Sequence, residues 1–408
     1  MYDSADSRRL LGLETELLLL DDQGNLSNRA REVVDHSDNT GNIVPEFSQA
    51  IVESNPPPST SIRHLETNLH ADLNAVHSIA RSLGITEAPL SEIGPGNQAQ
   101  RNLDSRRYTL FEELMGATHC DVERSFCGTH LHVDHKIDIV GQYNLLQSMD
   151  PVFALMSSSS FIRGRNSVNC GRVNSFRNEL YRGSPRLSQL LDYVSTENDL
   201  VELERDRSSF FLSRLEPSED NRRLFGSYNN GSSPLRKTAH TIEIRCADSN
   251  FPTLAVAMAA LYKGVLERVF EVGPLEILIS PLDSAWHITG SEIVLPSYAT
   301  LKVMESEGIA IGIHSRLVSG YLSYLLMVAE QGLPEDEVGY LQPFKEILRH
   351  KRNVADLILD KVKLIDPTTT EKISSRAASL ISLFVAEQYR DDLSGGSQFL
   401  DMIRHGVD

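Results

Sequence analysis

The sequence contains no long apolar run. Its wholly apolar stretches are short, as in residues 17–20. A helix that crosses a bilayer needs about 18 or more apolar residues in succession. Residues 1–9 carry acidic side chains and lead into a strand-like segment, unlike an apolar signal sequence with a small-residue cleavage site. We therefore expect a soluble, cytoplasmic protein.

Cysteine is scarce as well. The 408 residues include only Cys120, Cys127, Cys170 and Cys246, too few for a disulfide scaffold, and no CxxC pair indicates zinc or redox chemistry. Buried, reduced thiols are the simplest interpretation. A catalytic or bonded pair formed by Cys120 and Cys127 is the alternative.

Positive charge is also in deficit, with 39 Lys and Arg against 56 Asp and Glu and a net charge of −17. Such a chain repels polyanions, which argues against nucleic acid or an anionic membrane as a partner. The phosphate-binding sequence G-x-x-x-x-G-K-[ST] is missing too. If the protein binds a nucleotide, cations must mediate the contact.

The patterns that are present predict an α+β fold. Apolar and polar residues alternate in Leu11–Leu20, in residues 128–133 and in residues 241–246, as in strands of an antiparallel or mixed sheet. Residues 61–83 repeat apolar side chains at helical spacing, and residues 253–272 are apolar on nearly every face. Residues 137–160 look helical but contain Pro151, which should kink or split the helix, and residues 229–234 indicate a loop.

From residue 296 onward the pattern is mostly helical and holds no chemical motif. We expect helices within residues 298–307, 315–330, 336–350, 354–364 and 369–389. The organisation predicted is a catalytic α+β region over residues 1–295 and a helical region over residues 296–408 that packs on the same domain.

Two predicted strands carry paired polar residues on one face. In Gly-Leu-Glu-Thr-Glu, strand alternation points Glu14 and Glu16 the same way, so that face is either wet or bound to a cation. In Gly-Thr-His-Leu-His, His130 and His132 likewise share a face and can ligate metal or orient phosphate. Solvated strand faces are the alternative in both places.

A third pair of acids comes from residues 45–53. If Pro45 opens a helix, Glu46 and Glu53 are seven residues apart and share one side of it. Both could then address one site. Two glutamates on an exposed helical face are the alternative.

The segment Thr-Ile-Glu-Ile-Arg-Cys-Ala-Asp at residues 241–248 is the most informative. Ile242, Ile244 and Cys246 fill one strand face and leave Glu243 beside Arg245 on the other. The pair is either a plain salt bridge, or Glu243 binds a cation while Arg245 holds the anion that the cation activates.

The loop over residues 157–178 is rich in Ser, Gly and Arg. Such composition suits recognition of phosphate or carboxylate in an otherwise acidic protein, although solvated loop arginines are the alternative. Its arginines are Arg163, Arg165, Arg172 and Arg177.

Taken together and in this order, these motifs resemble the GCS2 family of glutamate–cysteine and related carboxylate–amine ligases. The resemblance covers roughly residues 10–275 and implies the glutamine synthetase-like fold, a curved antiparallel sheet whose concave face forms the site. The ligands for two or three Mg²⁺ or Mn²⁺ ions beneath ATP would be Glu14, Glu16, Glu46, Glu53, His130 and Glu243. Arg245 and Arg177 would touch the transferred phosphate or the substrate carboxylate, and the nucleotide would also meet His132. The loop is longer than the family's, so Arg163, Arg165 and Arg172 receive no role.

The resemblance implies that ATP phosphorylates a carboxylate and that an amine then attacks the acyl phosphate. Glutamate and cysteine are the best-known pair, and another amine is an alternative. A metal-dependent hydrolase is the main rival, since clustered Glu and His also activate water, although HExxH and GxSxG are missing. A non-catalytic binding protein is the second rival. The expected partners are ATP and small-molecule substrates, and we expect no binding to nucleic acid or membrane. The sequence is compatible with a homo-oligomer.

Overall fold

The computed structural model describes residues 9–94, 99–102, 105–136, 138–226, 233–272, 274–280, 286–368 and 371–407. The predictions for residues 1–8 and for the loop at 229–232 lie outside these ranges. The strands are β1 (Leu11–Leu20), β2 (Ile43–Pro45), β3 (Ile51–Ser54), β4 (Thr86–Ala88), β5 (Gly128–Asp134), β6 (Phe161–Ile162), β7 (Arg165–Asn166), β8 (Leu235–Lys237), β9 (Thr241–Asp248), β10 (Glu276–Ile279), β11 (His287–Thr289) and β12 (Glu292–Leu295).

Helices account for most of the remaining chain. They are α1 (Ala30–Val34), α2 (Ile62–Ser82), α3 (Arg106–Met115), α4 (Ala117–Glu123), α5 (Ile139–Ser148), α6 (Gly171–Asn174), α7 (Glu197–Leu212), α8 (Glu219–Phe225), α9 (Pro252–Phe270), α10 (Tyr298–Ile311), α11 (Arg316–Gly332), α12 (Gln342–His350), α13 (Val354–Ile365), α14 (Ser375–Leu393) and α15 (Gln398–His405). Short 3₁₀ or π turns lie at Asp150–Ala154, Pro185–Leu187, Ser175–Leu180, Gly312–His314 and Val338–Leu341.

The main sheet has seven strands in the order β2-β3-β1-β5-β9-β8, with β4 paired to β1. All of its described pairs are antiparallel, so the predicted α+β class with an antiparallel sheet is confirmed. β1 lies in the middle of the sheet, between β3 and β5, and alternates its side chains between the two faces. One face of the sheet therefore carries a continuous polar row.

The predicted helix over residues 45–53 is wrong. Pro45 ends β2, and Ile51–Ser54 is strand β3, which pairs with β1. A proline suits this position because β2 pairs only with β3 and forms an edge of the sheet, where a missing N–H breaks no ladder. Glu46 thus lies in the connection between two strands and Glu53 lies on the second of them.

The main helix predictions are confirmed. Pro151 follows the end of α5 at Ser148 and begins a 3₁₀ turn instead of continuing the helix. α9 starts with Pro252 in its first turn and is buried along nearly its whole length, with α11 packed against it. The C-terminal part is helical as expected, although its helix α14 begins at Ser375, later than predicted.

One hydrophobic cluster joins the sheet and the helices. It includes Leu13 and Leu17 of β1, Val265 of α9 and Ile381 of α14. The division of the chain at residues 295 and 296 stays a prediction. Among the described residues, no helix is long and apolar enough to span a membrane.

Candidate active site

Six polar side chains meet on one face of the main sheet because of its register. Glu14 of β1 is opposite His130 of β5, and Glu16 is opposite Glu53 of β3. Directly opposed residues point to the same side of a sheet. In the same way His132 is opposite Glu243 of β9, which places this strand's glutamate on the same face.

His130 is at the centre of the cluster. Its Nδ1 lies 3.2 Å from Glu14 Oε2 and 3.5 Å from Glu243 Oε1, while its Nε2 lies 3.9 Å from Glu16 Oε1. Two sets of ligand atoms result, Glu14–His130–Glu243 and Glu16–Glu53–His130, and within each set the atoms lie within 4.8 Å of one another. Imidazole and carboxylate groups at such separations are able to ligate a metal ion.

The second histidine is held between two partners. His132 Nε2 lies 2.9 Å from Glu14 Oε1, and its Nδ1 lies 3.0 Å from the hydroxyl of Thr241. Burial alone would lower the pKa of His132, but Glu14 and Glu243 raise it above its ordinary value. His132 therefore orients Glu14 from outside the two sets of ligand atoms.

Like charges at close range perturb the carboxylates. Burial, and after it the neighbouring Glu46 and Glu14, raise the pKa of Glu53 well above its ordinary value. Burial likewise raises the pKa of Glu16. The same burial acts on Glu14 and Glu243, but hydrogen bonds with the histidines lower the pKa of Glu14, and nearby arginines lower that of Glu243. The sets thus combine groups that favour ionisation with groups that resist it unless a cation is present.

The residues fit a divalent cation. His130 Nε2 is buried and has no hydrogen-bond partner among the described residues, yet it faces Glu16. Most of the donors are carboxylate oxygens, which suit hard cations such as Mg²⁺ and Mn²⁺, and the imidazole nitrogen is tolerated better by Mn²⁺.

A cavity of about 110 Å³ opens beside the cluster. Glu46 reaches it from the β2–β3 connection, beside Glu16 and His130. Its basic lining residues are Arg107, Arg124, Arg172 and Arg245. Acidic and basic side chains therefore meet at one opening, which suits a substrate that carries anionic groups and binds next to cations.

Arg245 contacts the cluster directly. Its Nη1 donates to Glu243 Oε1, and Arg236 Nε lies 3.2 Å from the other oxygen of that carboxylate. Glu243 is only 1% exposed, so both arginines meet it in a nearly dry environment. This geometry brings a glutamate and an arginine together as the sequence predicts, and it is compatible with both the salt-bridge and the metal-ligand interpretations.

Comparison with known proteins identifies the family. The family model for glutamate-cysteine ligase family 2 (GCS2) matches residues 10–378. The chain belongs to this family. The GCS2 match extends about 100 residues past the motifs recognised from the sequence and so includes most of the helical region. No curated protein sequence gives a significant match.

Two solved structures share the fold of this GCS2 chain. The glutamate–cysteine ligase of Francisella tularensis, determined in complex with AMP, has a TM-score of 0.56 and 13% identity, with 100% of this chain and 94% of that chain covered. A bifunctional glutathione synthetase from Pasteurella multocida has a TM-score of 0.53 and 13% identity. The comparison covers 98% of this chain but only 57% of the synthetase.

Arg177 does not join the other site residues of this GCS2 protein. Its guanidinium donates twice to Asp150, at 2.8 and 2.7 Å, and once to Glu305 at 2.7 Å, and it is 3% exposed. The carbonyl of Asp150 lies 3.9 Å from the sulfur of Cys246, a residue on the face of β9 opposite Glu243. Arg177 therefore belongs to a buried ion-pair network and not to the residues that line the cavity, and its contact with substrate stays a prediction that this network does not favour.

Sequence reasoning left two residues without a role that the structure brings to the site. Arg172 lines the cavity, whereas Arg163 and Arg165 do not. Asp248 ends β9 opposite Gly128 and so faces the same side as His130. A signal existed for Asp248, since it closes the most specific motif of the sequence, but the loop gave no sign of which arginine would turn inward.

Proposed function

We propose that this GCS2 chain is an ATP-dependent carboxylate–amine ligase that resembles glutamate–cysteine ligase. The observation that carries the proposal is the pair of carboxylate–imidazole sets that share His130, with Arg245 against one of their members. An acid and an amine do not condense in water unless the acid oxygen becomes a leaving group. Transfer of a phosphoryl group from ATP to that oxygen gives an acyl phosphate, and attack by the amine then releases phosphate.

The acidic and basic residues of the site have different proposed roles. Glu14, Glu16, Glu53, His130 and Glu243 would hold the divalent cations, with Glu46 beside them at the cavity. When bound, these cations neutralise phosphate charge and align the groups for in-line transfer. The guanidinium of Arg245 supplies a fixed positive charge and paired donors for an oxyanion. In a chain with a net charge of −17, this arrangement lets a nucleotide approach an acidic face.

ATP is the proposed phosphoryl donor. The related Francisella ligase was determined with AMP, which supports nucleotide use by this fold. Glutamate and cysteine are the proposed substrates, and a different acid or amine remains the second candidate because the cavity wall includes arginines and aromatic rings that the sequence motifs do not specify.

The test is ADP release by the purified chain over pairs of amino acids and amines, with Mg²⁺ or Mn²⁺. We expect ADP formation that requires the metal, rises when the acid is added, and yields a new amide with at least one amine. Undiminished turnover in excess EDTA, or ADP release with no acid dependence, would contradict the proposal.

A metal-dependent hydrolase is the rival that the same carboxylates allow. Isothermal titration separates the two, because a ligase binds ATP with Mg²⁺ and a hydrolase of this type has no need of nucleotide. Heat of binding from ATP with Mg²⁺, and none from ATP with EDTA, favours the ligase. Hydrolysis of amide substrates in the absence of nucleotide would favour the rival.

A further inference from the structure

The ladder between β5 and β9 changes register in the middle of the site. Thr129 is opposite Ala247, but Leu131 is opposite Ile244. The single residue His130 therefore faces two residues of β9, Arg245 and Cys246. This is a β-bulge, in which the extra residue leaves part of the ladder unpaired and redirects the side chains around it.

The bulge decides which way Asp248 points. By plain alternation Asp248 would join Ile242, Ile244 and Cys246 on the buried face. Because one residue is inserted, Asp248 instead pairs with Gly128 and faces the side that carries the carboxylates. Its Oδ2 accepts a hydrogen bond of 2.9 Å from the backbone N–H of Ser158, so the side chain is fixed from behind.

Arg172 binds the backbone at this bulge. Both of its terminal nitrogens lie 3.4 Å from the carbonyl oxygen of Arg245, and Nη1 also donates to the carbonyl of Ala247 at 3.2 Å. The same Nη1 lies 3.9 Å from Asp248 Oδ1. The guanidinium stands over the ring of Phe176, with its central carbon 5.3 Å from the ring centre. The guanidinium of Arg172 thus spans the bulge. It binds the carbonyls of Arg245 and Ala247 and lies beside the carboxylate of Asp248.

Gly128 leaves the space that this arrangement needs. A Cβ atom at this position would lie 2.5 Å from Arg172 Nη2 and 3.0 Å from His130 Nε2. The first distance is shorter than real Cβ contacts, so a side chain here would displace the guanidinium, and the imidazole would have to shift by a few tenths of an ångström. The N–H of the same glycine donates to Glu16 Oε2 at 2.6 Å. Gly128 therefore connects the bulge to the metal-binding carboxylates.

We propose that Arg172 is a positioning residue that holds the bulge of β9 so that Arg245 points into the site, and that Gly128 is required for Arg172 to reach it. The inference rests on the proposed function, because it assigns Arg245 the task of holding an oxyanion. Arg245 moves with its own carbonyl, to which Arg172 is bonded. Displacement of a catalytic group by about 1 Å is enough to lower a rate about 100-fold.

The test compares Arg172→Ala with Arg165→Ala, a matched control in the same loop whose side chain is exposed and does not line the cavity. For Arg172→Ala we expect kcat to fall about 100-fold, with partial recovery on addition of guanidinium ion. We expect the Mn²⁺ affinity, measured by electron paramagnetic resonance without nucleotide, to stay within about threefold, since Arg172 bonds to none of the proposed ligands. Amide hydrogen exchange of residues 243–248 should become faster in Arg172→Ala and not in the control.

Gly128→Ala provides an independent variant that keeps the arginine charge. It should reproduce the loss of kcat, because the added methyl group displaces the guanidinium, and its Mn²⁺ affinity separates this effect from any displacement of His130, whose Nε2 the methyl group also meets. A kcat for Arg172→Ala within about threefold of wild type would overturn the inference, as would a fall in Mn²⁺ affinity that matches the fall in kcat. If Arg172→Ala does not fold, a normal kcat in Gly128→Ala overturns the inference about Arg172. If the wild-type chain shows no ligase turnover, the proposed function fails, and unchanged hydrogen exchange in both variants would then reject the positioning role separately.

Discussion

Buried charges are treated in opposite ways on the sheet face and in the helical region. On the sheet, Glu16 and Glu53 lie opposite each other as two acids, both 9% exposed. Beneath the helices, Lys263 Nζ of α9 lies 2.6 Å from Glu337 Oε2 and donates to the carbonyl of Thr60 at 2.9 Å. The first arrangement places like charges together and the second pairs opposite ones.

This difference separates buried charges that have a structural role from those that belong to the candidate site. A paired and hydrogen-bonded buried charge is compatible with a purely structural role, as Arg177 shows with its two carboxylate partners. Adjacent buried carboxylates destabilise the fold unless a cation or a proton joins them, so their retention marks this face as the candidate functional site. The predictions below test this contrast.

The largest effect is expected from Glu243→Gln on the sheet face. If Glu243 is a metal ligand, turnover should fall at least about 100-fold, more than is typical for loss of an outer-shell contact. The melting temperature without metal should fall, since the change removes the buried carboxylate that Arg245 and Arg236 share. Steady-state kinetics and thermal melts in EDTA measure both. Glu276→Gln, at an exposed strand position, is the matched control.

Arg245→Lys sharpens the same test. The charge remains but the paired donor geometry is lost, so an arginine that grips phosphate or carboxylate should fail when replaced. Near-normal turnover in both Glu243→Gln and Arg245→Lys would remove β9 from the active site, and a plain salt bridge would remain as its role.

The opposite outcome is expected from Glu337→Gln in the helical region. The change removes the nearer carboxylate of buried Lys263 and leaves only Glu267 at 3.9 Å among its described acidic partners, which should lower the free energy of unfolding by about 3 kcal/mol, while turnover below the melting transition stays near wild type. Asp336→Asn is the neighbouring control, because its ion pair with Arg63 is exposed and 3.8 Å long and should contribute about 1 kcal/mol or less. Urea unfolding measures both. A large loss of turnover in folded Glu337→Gln would break the contrast between the two regions.

Much of the candidate site could be predicted from local patterns. Strand alternation alone puts Glu14 with Glu16 and His130 with His132, because the side-chain period of a strand does not depend on its neighbours. The α+β class with an antiparallel or mixed sheet followed from the same patterns, and the main sheet is antiparallel. That these strands lie side by side in the sheet came only from the resemblance to a family, since pairing is a long-range property.

The failures have physical reasons. Pro45 suits the first turn of a helix and an edge strand equally well, and only the pairing of Ile51–Ser54 with β1 decides between them. The ion pairs of Arg177 could not be predicted, because nothing local reveals that Asp150 and Glu305 would surround it. Asp248 was missed because a bulge reverses alternation, and an inserted residue has no clear sequence signal.

A smaller effect is expected at Glu92, a buried carboxyl that belongs to neither region's charge groups. Burial raises its pKa to about 8, with a lesser opposing influence from Arg163. The folded state therefore holds a proton that the unfolded state releases near its ordinary pKa, and stability should fall by about 1 kcal/mol per pH unit as the pH rises from about 5 to 8. Glu92→Gln should reduce the slope by this contribution, and Glu113→Gln, exposed on α3, should leave the slope unchanged. Urea unfolding across this pH range measures the slope, and equal slopes in Glu92→Gln and wild type would contradict the assignment.

The smallest effect on the chemical step is expected from the cysteines. Cys127 precedes β5 near the carboxylates, whereas Cys170 lies behind the sheet against the carbonyl of Gly308, so the pair tests whether proximity to the cluster makes a thiol reactive. Burial raises the pKa of both thiols well above the ordinary value, which keeps them protonated and poorly nucleophilic at neutral pH.

Replacement of all four cysteines by Ala or Ser should leave kcat near wild type and cost about 1 kcal/mol of stability per site, with Cys246 among the sites that contribute. Folded but inactive Cys120→Ser or Cys127→Ser would show instead that a thiol takes part in the reaction.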